Sequence, residues 1–286
     1  MSIDYSIGGW TRRVPQLQWT RDDAALADAG EALPEVILSS RPLAEVHRLD
    51  LSLFVVFEEA SLRVSGALTR RAPSRDALDF CAQQTIDEAR HYELFRRRYE
   101  QARLAAGLSP TEGIDAILTP PLRRFLDHCY EVADAGSFIE GLTLMNLVLE
   151  GMAFSLYAYE ERYWAPVDPW LSRAVRSAFT DEARHCAFGA NLVATLLQDD
   201  PARRGRVAKL CAQARTAMAE IFTYYVKKFV GVFDAVAQQH KPLFAAAECA
   251  PGHLISQTPY REQVAMIHHS IDVEHSRLIT RAGLDP

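Results

Sequence analysis

Apolar residues recur at helical spacing along most of this chain, and proline and glycine are rare in its long central stretches. The fourteen prolines fall mostly in clusters and leave six long proline-free stretches. Because proline breaks helix interiors, we expect helices or helix pairs there. These stretches are 43–72, 74–109, 122–165, 170–200, 202–241 and 260–285. Ser74 and Ser137 have the residue type and position of helix N-caps. The pattern predicts an all-α protein.

Strand signals are weak. Residues 53–57 are apolar and partly β-branched, but they lie inside a longer pattern with helical spacing. Residues 1–40 carry prolines and no regular pattern, which predicts an irregular N-terminal arm over the surface. We expect a single helical domain over 41–286, with a loop at 242–259 before the last helix.

Composition and charge narrow the class of protein. The 286 residues are 49% hydrophobic and 24% charged, as in soluble globular proteins, and the net charge of −6 argues against a nucleic-acid binder. The first twenty residues lack the apolar run of a secretory signal. The longest apolar segment, 141–159, is interrupted by Glu150, which argues against a membrane span. Five scattered cysteines without a CxxC pair exclude a zinc ribbon and favour a reduced, cytoplasmic protein.

The pentapeptide DEARH occurs twice, at 87–91 and 181–185. Each copy follows a segment in which a glutamate stands among apolar residues. Glu58 precedes the first copy with 28 residues between, and Glu150 precedes the second with 30 between. Such a repeat, with nearly equal spacing in both halves, indicates a pair of equivalent helix pairs.

Helical geometry gives the repeat a chemical meaning. A glutamate and a histidine three residues apart lie on one face of a helix, so each Glu-x-x-His can bind one metal ion. A glutamate from the preceding helix completes each set. Two such helix pairs place four carboxylates and two imidazoles inside a four-helix bundle, and these donors suit iron or manganese. The predicted ligands are Glu58, Glu88, His91, Glu150, Glu182 and His185.

Electrostatics supports a metal site. Glu150 lies in a segment that is apolar on nearly every side, where a lone ionised carboxylate is costly. Four carboxylates facing one another would be less favourable still, because like charges resist joint ionisation. Two divalent cations would cancel the charge of all four.

The neighbours of the predicted ligands suggest supporting roles. Asp87 and Asp181 can each accept the free ring N–H of the histidine on the opposite motif helix, and Arg90 and Arg184 can neutralise these aspartates. On the first helix Glu58 and Glu59 point about 100° apart. Alignment of the two halves favours Glu58 as the ligand, with Glu59 as the alternative.

Further residues are candidates for weaker roles. His268, Asp272 and His275 share a helix face and can bind a metal or line a channel. A basic stretch from Arg70 to Arg103 can dock an acidic carrier or electron-transfer protein. Positions one turn from the ligands are expected to line the reaction pocket: Leu62, Gln84, Phe95, Thr143, Asn146, Phe154, Ala178 and Phe179.

With both motifs in view, residues 50–190 resemble the non-haem diiron oxygenases of the ferritin-like superfamily. The doubled motif is most similar to that of the p-aminobenzoate N-oxygenase family. It also resembles multicomponent monooxygenase hydroxylases, acyl-carrier-protein desaturases and ribonucleotide reductase small subunits. The resemblance implies a ferritin-like four-helix bundle core with additional helices, and two iron ions (Fe/Fe, with Mn/Fe as an alternative) held by the six predicted ligands.

Four positions depart from these families. Phe95 stands where ribonucleotide reductases place a radical tyrosine. Phe154 and Ala153 stand where the hydroxylases and the desaturases, respectively, carry a threonine. Ala178 replaces an additional histidine ligand of the N-oxygenases. The marks that distinguish the subfamilies are therefore missing at these positions.

The resemblance implies an oxygenase that uses O2 to hydroxylate or N-oxygenate a small organic substrate. Electrons would come from a separate ferredoxin or flavin reductase, because the chain carries no iron–sulfur, flavin or GxGxxG motif. No nucleic-acid or membrane partner is expected, and a homodimer is one open assembly state. Three alternatives remain: an acyl-carrier-protein desaturase or carrier-dependent hydroxylase, an iron oxidation or storage protein without an organic substrate, and a metal-free helical interaction protein.

Overall fold

The structure, a computed structural model, describes residues 32–109, 111–198 and 200–285, which are helical over most of their length. The helices are α1 (Glu35–Ser39), α2 (Arg41–Arg71), α3 (Arg75–Ala105), α4 (Glu112–Ile117), α5 (Pro120–Ala135), α6 (Phe138–Thr143), α7 (Glu150–Trp164), α8 (Pro169–Leu196), α9 (Pro201–Gln239) and α10 (Tyr260–Arg281). A π-helical turn (Leu144–Leu149) joins α6 to α7. A small antiparallel hairpin, β1 (Glu248–Ala250) and β2 (His253–Leu254), precedes α10.

Side-chain caps explain where the long helices begin. Ser74 accepts the backbone N–H of Ala77 at the start of α3, and Ser137 forms a capping box with Glu140 at the start of α6. Both predicted N-caps are confirmed. Several helices begin slightly before the proline-free stretches that predicted them, because proline occupies the first or second helical position. Proline is tolerated there, since its missing N–H would have no intrahelical partner.

The core consists of two helix pairs. Helix α2 packs along α3, helix α7 packs along α8, and α3 and α8 contact each other. Helix α9 lies against α2 and the π turn, and α10 covers α7 and α9. This arrangement directs one buried face of each of the four core helices towards the same interior volume.

The continuous helical segment Phe138–Trp164 contains the most apolar part of this core. By length and composition it could cross a membrane, but 83% of its most apolar window is buried inside the bundle. Its hydrophobic residues therefore pack against the other helices of the bundle.

The two ends of the domain differ in detail from expectation. Most of the predicted N-terminal arm lies outside the described residues, but its last part contains the short helix α1, in which Ile37 is buried. The predicted loop at 242–259 includes the β1–β2 hairpin. Sequence reasoning did not foresee this hairpin, since its strands are only three and two residues long.

Candidate metal centre

The six predicted ligand residues meet in the middle of the four-helix core. Glu58 comes from α2, Glu150 begins α7 directly after the π turn, and each motif helix adds a glutamate and a histidine. All six side chains are buried, with at most 3% of their surface exposed. They form two overlapping groups of four whose ligand atoms lie within 4.8 Å of one another. The first group is Glu58, Glu88, His91 and Glu182, and the second is Glu88, Glu150, Glu182 and His185.

Glu88 and Glu182 belong to both groups, so each can bridge two metal ions. Nδ1 of His91 lies 3.5 Å from a Glu88 oxygen and 3.3 Å from a Glu182 oxygen. Nδ1 of His185 lies 3.3 Å from the other Glu88 oxygen and 3.5 Å from the other Glu182 oxygen. Glu58 faces only the His91 side and Glu150 only the His185 side, in the positions of terminal ligands.

The buried oxygens and ring nitrogens of the cage are arranged to bind metal ions rather than to form hydrogen bonds with one another. Among the described residues, both oxygens of Glu88, one oxygen of Glu182 and Nδ1 of both histidines find no hydrogen-bond partner, although all are buried. Buried polar atoms normally have partners, and such orphaned atoms need an explanation. A pair of cations between the two histidines would satisfy all of them.

The other ring nitrogen of each histidine is held by an aspartate from the opposite motif. Nε2 of His91 lies 3.3 Å from Asp181, and Nε2 of His185 lies 3.1 Å from Asp87. A proton on Nε2 leaves the Nδ1 lone pair free to face the cage, so these contacts favour the tautomer that binds metal. The exchange across the two motifs is the one expected from the sequence.

Two arginines neutralise these aspartates. Arg90 pairs with Asp87 on its own helix and lies 3.8 Å from Asp181. Arg184 contacts Asp181 at 2.5 Å and Asp87 at 3.0 Å. Arg90 is largely buried, whereas 57% of the Arg184 side chain is exposed. Among these two aspartates and two arginines, Arg184 is therefore the residue that is exposed to solvent.

The two terminal glutamates have different neighbours. Glu58 accepts a hydrogen bond from the phenol of Tyr157. Glu150 instead accepts hydrogen bonds from two amides, Nε2 of Gln84 and Nδ2 of Asn146, the latter at 3.0 Å. The ligand set is thus nearly symmetric, but its surroundings are not.

Titration behaviour is consistent with a cage built for cations. Burial raises the pKa of Glu58 to about 8 and moves that of Glu150 well above its usual range. Burial by itself would lower the pKa of both histidines. It is outweighed by the carboxylates, chiefly Glu58 beside His91 and Glu150 beside His185, so both pKa values lie well above normal. Without metal the cage retains protons, and metal binding must release them.

Glu58, not Glu59, faces the cage. Glu59 points outwards, is 39% exposed and pairs with Arg63 one turn later. Because the two glutamates are neighbours on a helix, only one of them can face inwards.

The pocket beside the cage differs from the expected one. A small cavity of about 20 Å³ adjoins Glu58, Glu150 and Glu182. Its other lining residues are Phe54, Phe57, Ser61, Leu149, Met152, Ala153, Leu156 and Tyr157. None of the eight positions expected to line the pocket is among them. Of those eight, Gln84 and Asn146 contact Glu150 instead, and Phe95 stacks on Phe54.

Sequence reasoning missed Tyr157. It lies seven residues after Glu150, two turns along the same face of α7, and this spacing could have identified it. The π turn explains part of the remaining mismatch. Its wider winding immediately before Glu150 changes which residues share a face with this glutamate, and π turns are frequent at functional sites.

The weaker candidates do not form a second centre. His275 is buried and donates from Nε2 to the carbonyl oxygen of Val148 in the π turn, whereas His268 and Asp272 are only loosely paired, 3.9 Å apart. These three residues therefore do not converge on one point.

Three consecutive arginines of the basic stretch form ion pairs within the chain. Arg96 and Arg97 both pair with Glu93, and Arg98 is buried against Asp168 at 2.7 Å. The continuous basic face expected from the sequence is thus divided into local ion pairs.

Comparison with known proteins finds solved structures with a similar fold. No protein-family model and no curated protein matches the chain. One similar solved structure is a mutant of an R2-like ligand-binding oxidase with an aerobically reconstituted Mn/Fe cofactor. It has 16% sequence identity and a TM-score of 0.64, and the match covers 85% of this chain and 81% of the other. A second is a Synechococcus protein with aldehyde deformylating oxidase activity, with 16% identity, a TM-score of 0.54, and coverage of 85% and 99%.

At this level of identity the likeness concerns the fold. It confirms the predicted fold class, an all-α, ferritin-like helical bundle with additional helices. The nearest-motif assignment to p-aminobenzoate N-oxygenases receives no specific support from these structures.

Proposed function

We propose that this chain is a dimetal oxygenase that activates O2 and oxidises a small organic substrate, by hydroxylation or N-oxygenation, with electrons from a separate reductase. The observation that carries the proposal is the set of orphaned donor atoms between His91 and His185. Two iron ions, or one manganese and one iron, would be held by the six cage residues. When bound, such ions supply the redox chemistry with O2. The oxidase activities named for the two similar structures agree with this proposal.

The residues around the cage have distinct parts in this function. Asp87 and Asp181 keep the histidines oriented, and Tyr157 holds a proton at its hydroxyl next to Glu58. Burial, with a further contribution from Glu58, raises the pKa of Tyr157 well above its usual range, so the phenol stays protonated. The apolar wall of the small cavity beside the cage keeps water from the metal face that a substrate would approach.

The opposite side of the cage opens to solvent. A more polar depression of about 340 Å³ is lined by Gln84, Asp87, Arg184 and His185, among others. We assign substrate and O2 to the apolar side and proton exchange to this polar side. Electrons from a ferredoxin or flavin reductase would also enter here, because Phe80 stacks on exposed Phe188 and meets the His185 ring edge-on at 6.4 Å.

This arrangement favours an organic substrate over iron storage. A path for ferrous ions would need carboxylates along its length, yet the cavity beside the cage is mostly aliphatic and aromatic outside the ligands themselves. The acyl-carrier alternative has less support, because Arg98 is buried against Asp168, and Arg96 and Arg97 share the carboxylate of Glu93.

Metal analysis of reconstituted protein tests the proposal. The chain is stripped with a chelator, supplied anaerobically with Fe(II) alone or with Fe(II) and Mn(II), and desalted. We expect about two metal ions per chain, and O2 uptake after chemical reduction that is lost in Glu182→Ala, since this residue reaches both positions. Products from candidate substrates are then sought by mass spectrometry. Fewer than one ion per chain in the wild type would overturn the proposal.

A further inference from the structure

Helix α10 lies outside the two helix pairs that supply the cage, yet it contacts the π turn that precedes Glu150. It packs mainly on α7 and α9, and also on α8 and the π turn. His275 of this helix is only 1% exposed, and its Nε2 lies 2.9 Å from the carbonyl oxygen of Val148. Val148 is two residues before Glu150. This hydrogen bond therefore joins α10 to the segment that places one of the predicted ligands.

The direction of the hydrogen bond follows from its two atoms. A backbone carbonyl oxygen can only accept, so Nε2 of His275 must carry the ring proton. Burial lowers the pKa of His275, so the imidazole is neutral at pH 7 and has one proton to donate. His275 is thus a hydrogen-bond donor to the π turn, and its Nε2 is not available to a cation.

Gly151 makes room for this imidazole. A Cβ at Gly151 would lie 2.8 Å from Cδ2 of His275 and 3.3 Å from its Nε2. Carbon atoms in contact are normally about 3.5–4.0 Å apart, so a side chain at this position would push the donating ring away. Gly151 directly follows Glu150 in the sequence. The glycine therefore allows the imidazole to approach the backbone beside the ligand.

The π turn determines where Glu150 points. The backbone N–H of Glu150 bonds to the carbonyl oxygen of Met145, five residues earlier. Winding of this kind is rare and mostly limited to a single turn, so we expect neighbouring elements to hold it. If the segment wound as an α-helix, Glu150 would turn by roughly 100° about the helix axis, the angle of one residue. Its carboxyl group would then no longer face His185.

The Glu58 half of the cage has no such turn. Helix α2 is a continuous α-helix from Arg41 to Arg71, and Glu58 lies in its interior. The direction of Glu58 is therefore set by its own helix, whereas that of Glu150 depends on a turn that α10 contacts from outside. A change at His275 should accordingly affect one half of the cage and leave the other unchanged.

We propose that His275 is a positioning residue for the metal centre: its hydrogen bond to Val148 holds the π turn and keeps Glu150 directed at the His185 side of the cage. This inference rests on the proposed function and adds a residue from outside the four ligand helices to it. The competing explanation is a core histidine that only satisfies its own ring nitrogen. Such a residue would contribute to stability without any effect confined to one metal position.

Three variants separate these explanations. His275→Met removes the donor at similar volume, and His275→Gln keeps an N–H donor on a side chain of similar reach. Gln263→Met is the matched control. Gln263 is also buried on α10 and accepts from the Tyr159 hydroxyl of α7 at 2.8 Å, but it lies twelve residues, or about 18 Å, before His275. Its loss loosens α10 without touching the π turn.

The first readout is metal binding. Chelator-stripped protein is titrated anaerobically with Mn(II), and the number of bound ions and their affinities are measured by calorimetry. We expect about two ions per chain in the wild type, in His275→Gln and in Gln263→Met. In His275→Met one ion should bind about 10–100-fold more weakly, as is usual when a group that orients a metal ligand is lost. The affinity of the other ion should not change.

The second readout is hydrogen exchange of the metal-free protein, followed by mass spectrometry. Peptides that cover 144–152 should exchange at least about fivefold faster in His275→Met than in the wild type, because the turn loses a hydrogen bond. His275→Gln and Gln263→Met should leave this rate unchanged. Gly151→Ala keeps both partners of the hydrogen bond but displaces the ring, so it should accelerate exchange in the same peptides.

Both ions bound with wild-type affinity in His275→Met would overturn the inference and leave the proposed function standing. His275→Gln as impaired as His275→Met, or an equal effect of Gln263→Met, would also overturn it, because the hydrogen bond would then not be the cause. A wild-type chain that binds no metal overturns the proposed function instead. Exchange of the metal-free protein still decides the role of His275 in that case, and equal rates in the wild type and His275→Met would exclude it.

Discussion

Replacement of Gly189 by alanine tests how closely α8 approaches the π turn. A Cβ at Gly189 would lie 2.3 Å from Cβ of Asn146 and 2.7 Å from its Cγ. Such distances are far below contact, so either the helix or the π turn must move. Asn146 donates to Glu150 and, at 3.4 Å, to the carbonyl of His185. A shift of Asn146 is therefore transmitted to one half of the metal centre.

The expected loss of stability combines three effects. Overpacking a dense core costs about 1–3 kcal/mol. Loss of the Asn146 hydrogen bond to Glu150, which keeps its proton in the metal-free protein, costs about 0.5–1.5 kcal/mol. Alanine regains about 1 kcal/mol of helix propensity over glycine. The net loss is about 0.5–3.5 kcal/mol, which at about 2 °C per kcal/mol in a chain of this size lowers the melting temperature by roughly 1–7 °C.

Gly231→Ala provides the matched control. Gly231 is exposed on α9, and its added Cβ would meet nothing within 4 Å. Only the propensity gain applies there, so the melting temperature should rise by roughly 2–4 °C. Melting is followed by circular dichroism on metal-free protein, and metal content is measured after reconstitution. Equal stabilisation by both alanines would refute the close approach. A destabilised Gly189→Ala that still binds two ions with wild-type affinity would refute the role given to Asn146.

Three further predictions address other parts of the molecule. Glu58→Ala should reduce metal content from about two ions per chain to about one, whereas Glu59→Ala should leave it unchanged; equal losses by elemental analysis would contradict the geometry. Arg98→Met should lower the free energy of unfolding in urea by about 3 kcal/mol, because it leaves the Asp168 carboxylate buried without its arginine; a loss below about 1 kcal/mol would show that the pair is dispensable. The pKa of Asp50 is 3.8 when unperturbed and about 8 in the fold. The folded state therefore binds more protons than the unfolded state across that interval, and stability should fall as pH rises from about 4 to about 8. Asp50→Asn should flatten this fall, and parallel pH profiles for the two proteins would count against the raised pKa.

Two kinds of sequence signal predicted the structure: the repeated motif, and the prolines that mark where helices begin and end. Proline positions located the long helices, because proline is tolerated in the first turn but not in the interior. The doubled DEARH motif brought six distant residues together, because Glu-x-x-His spacing is meaningful only on one helix face. Even the exchange of hydrogen bonds between His91 and Asp181 followed from pairing the two motif helices.

The parts that were missed depend on contacts without a local signal. Asp50 and Glu160 are 110 positions apart, and Glu160 stands in a charged stretch that resembles a solvated helix end. Arg98 is the last of three consecutive arginines, and only the path of the chain distinguishes it as the one buried against Asp168. The π turn has no compositional mark, yet it sets which side chains accompany Glu150. Such features require the packing of whole helices.

The six cage residues are nearly symmetric between the two halves of the bundle, but the residues around them are not. Both halves contribute two glutamates and one histidine, and each half supplies the aspartate that contacts the other half's histidine, so the repeat by itself describes two equivalent positions in the cage. Tyr157 beside Glu58, and the amides of Gln84 and Asn146 beside Glu150, make those positions inequivalent. None of these three residues belongs to the repeat. A motif comparison therefore recovers the cage and the bundle, whereas the difference between the two halves of the cage depends on residues outside the repeat, which only the packed structure identifies.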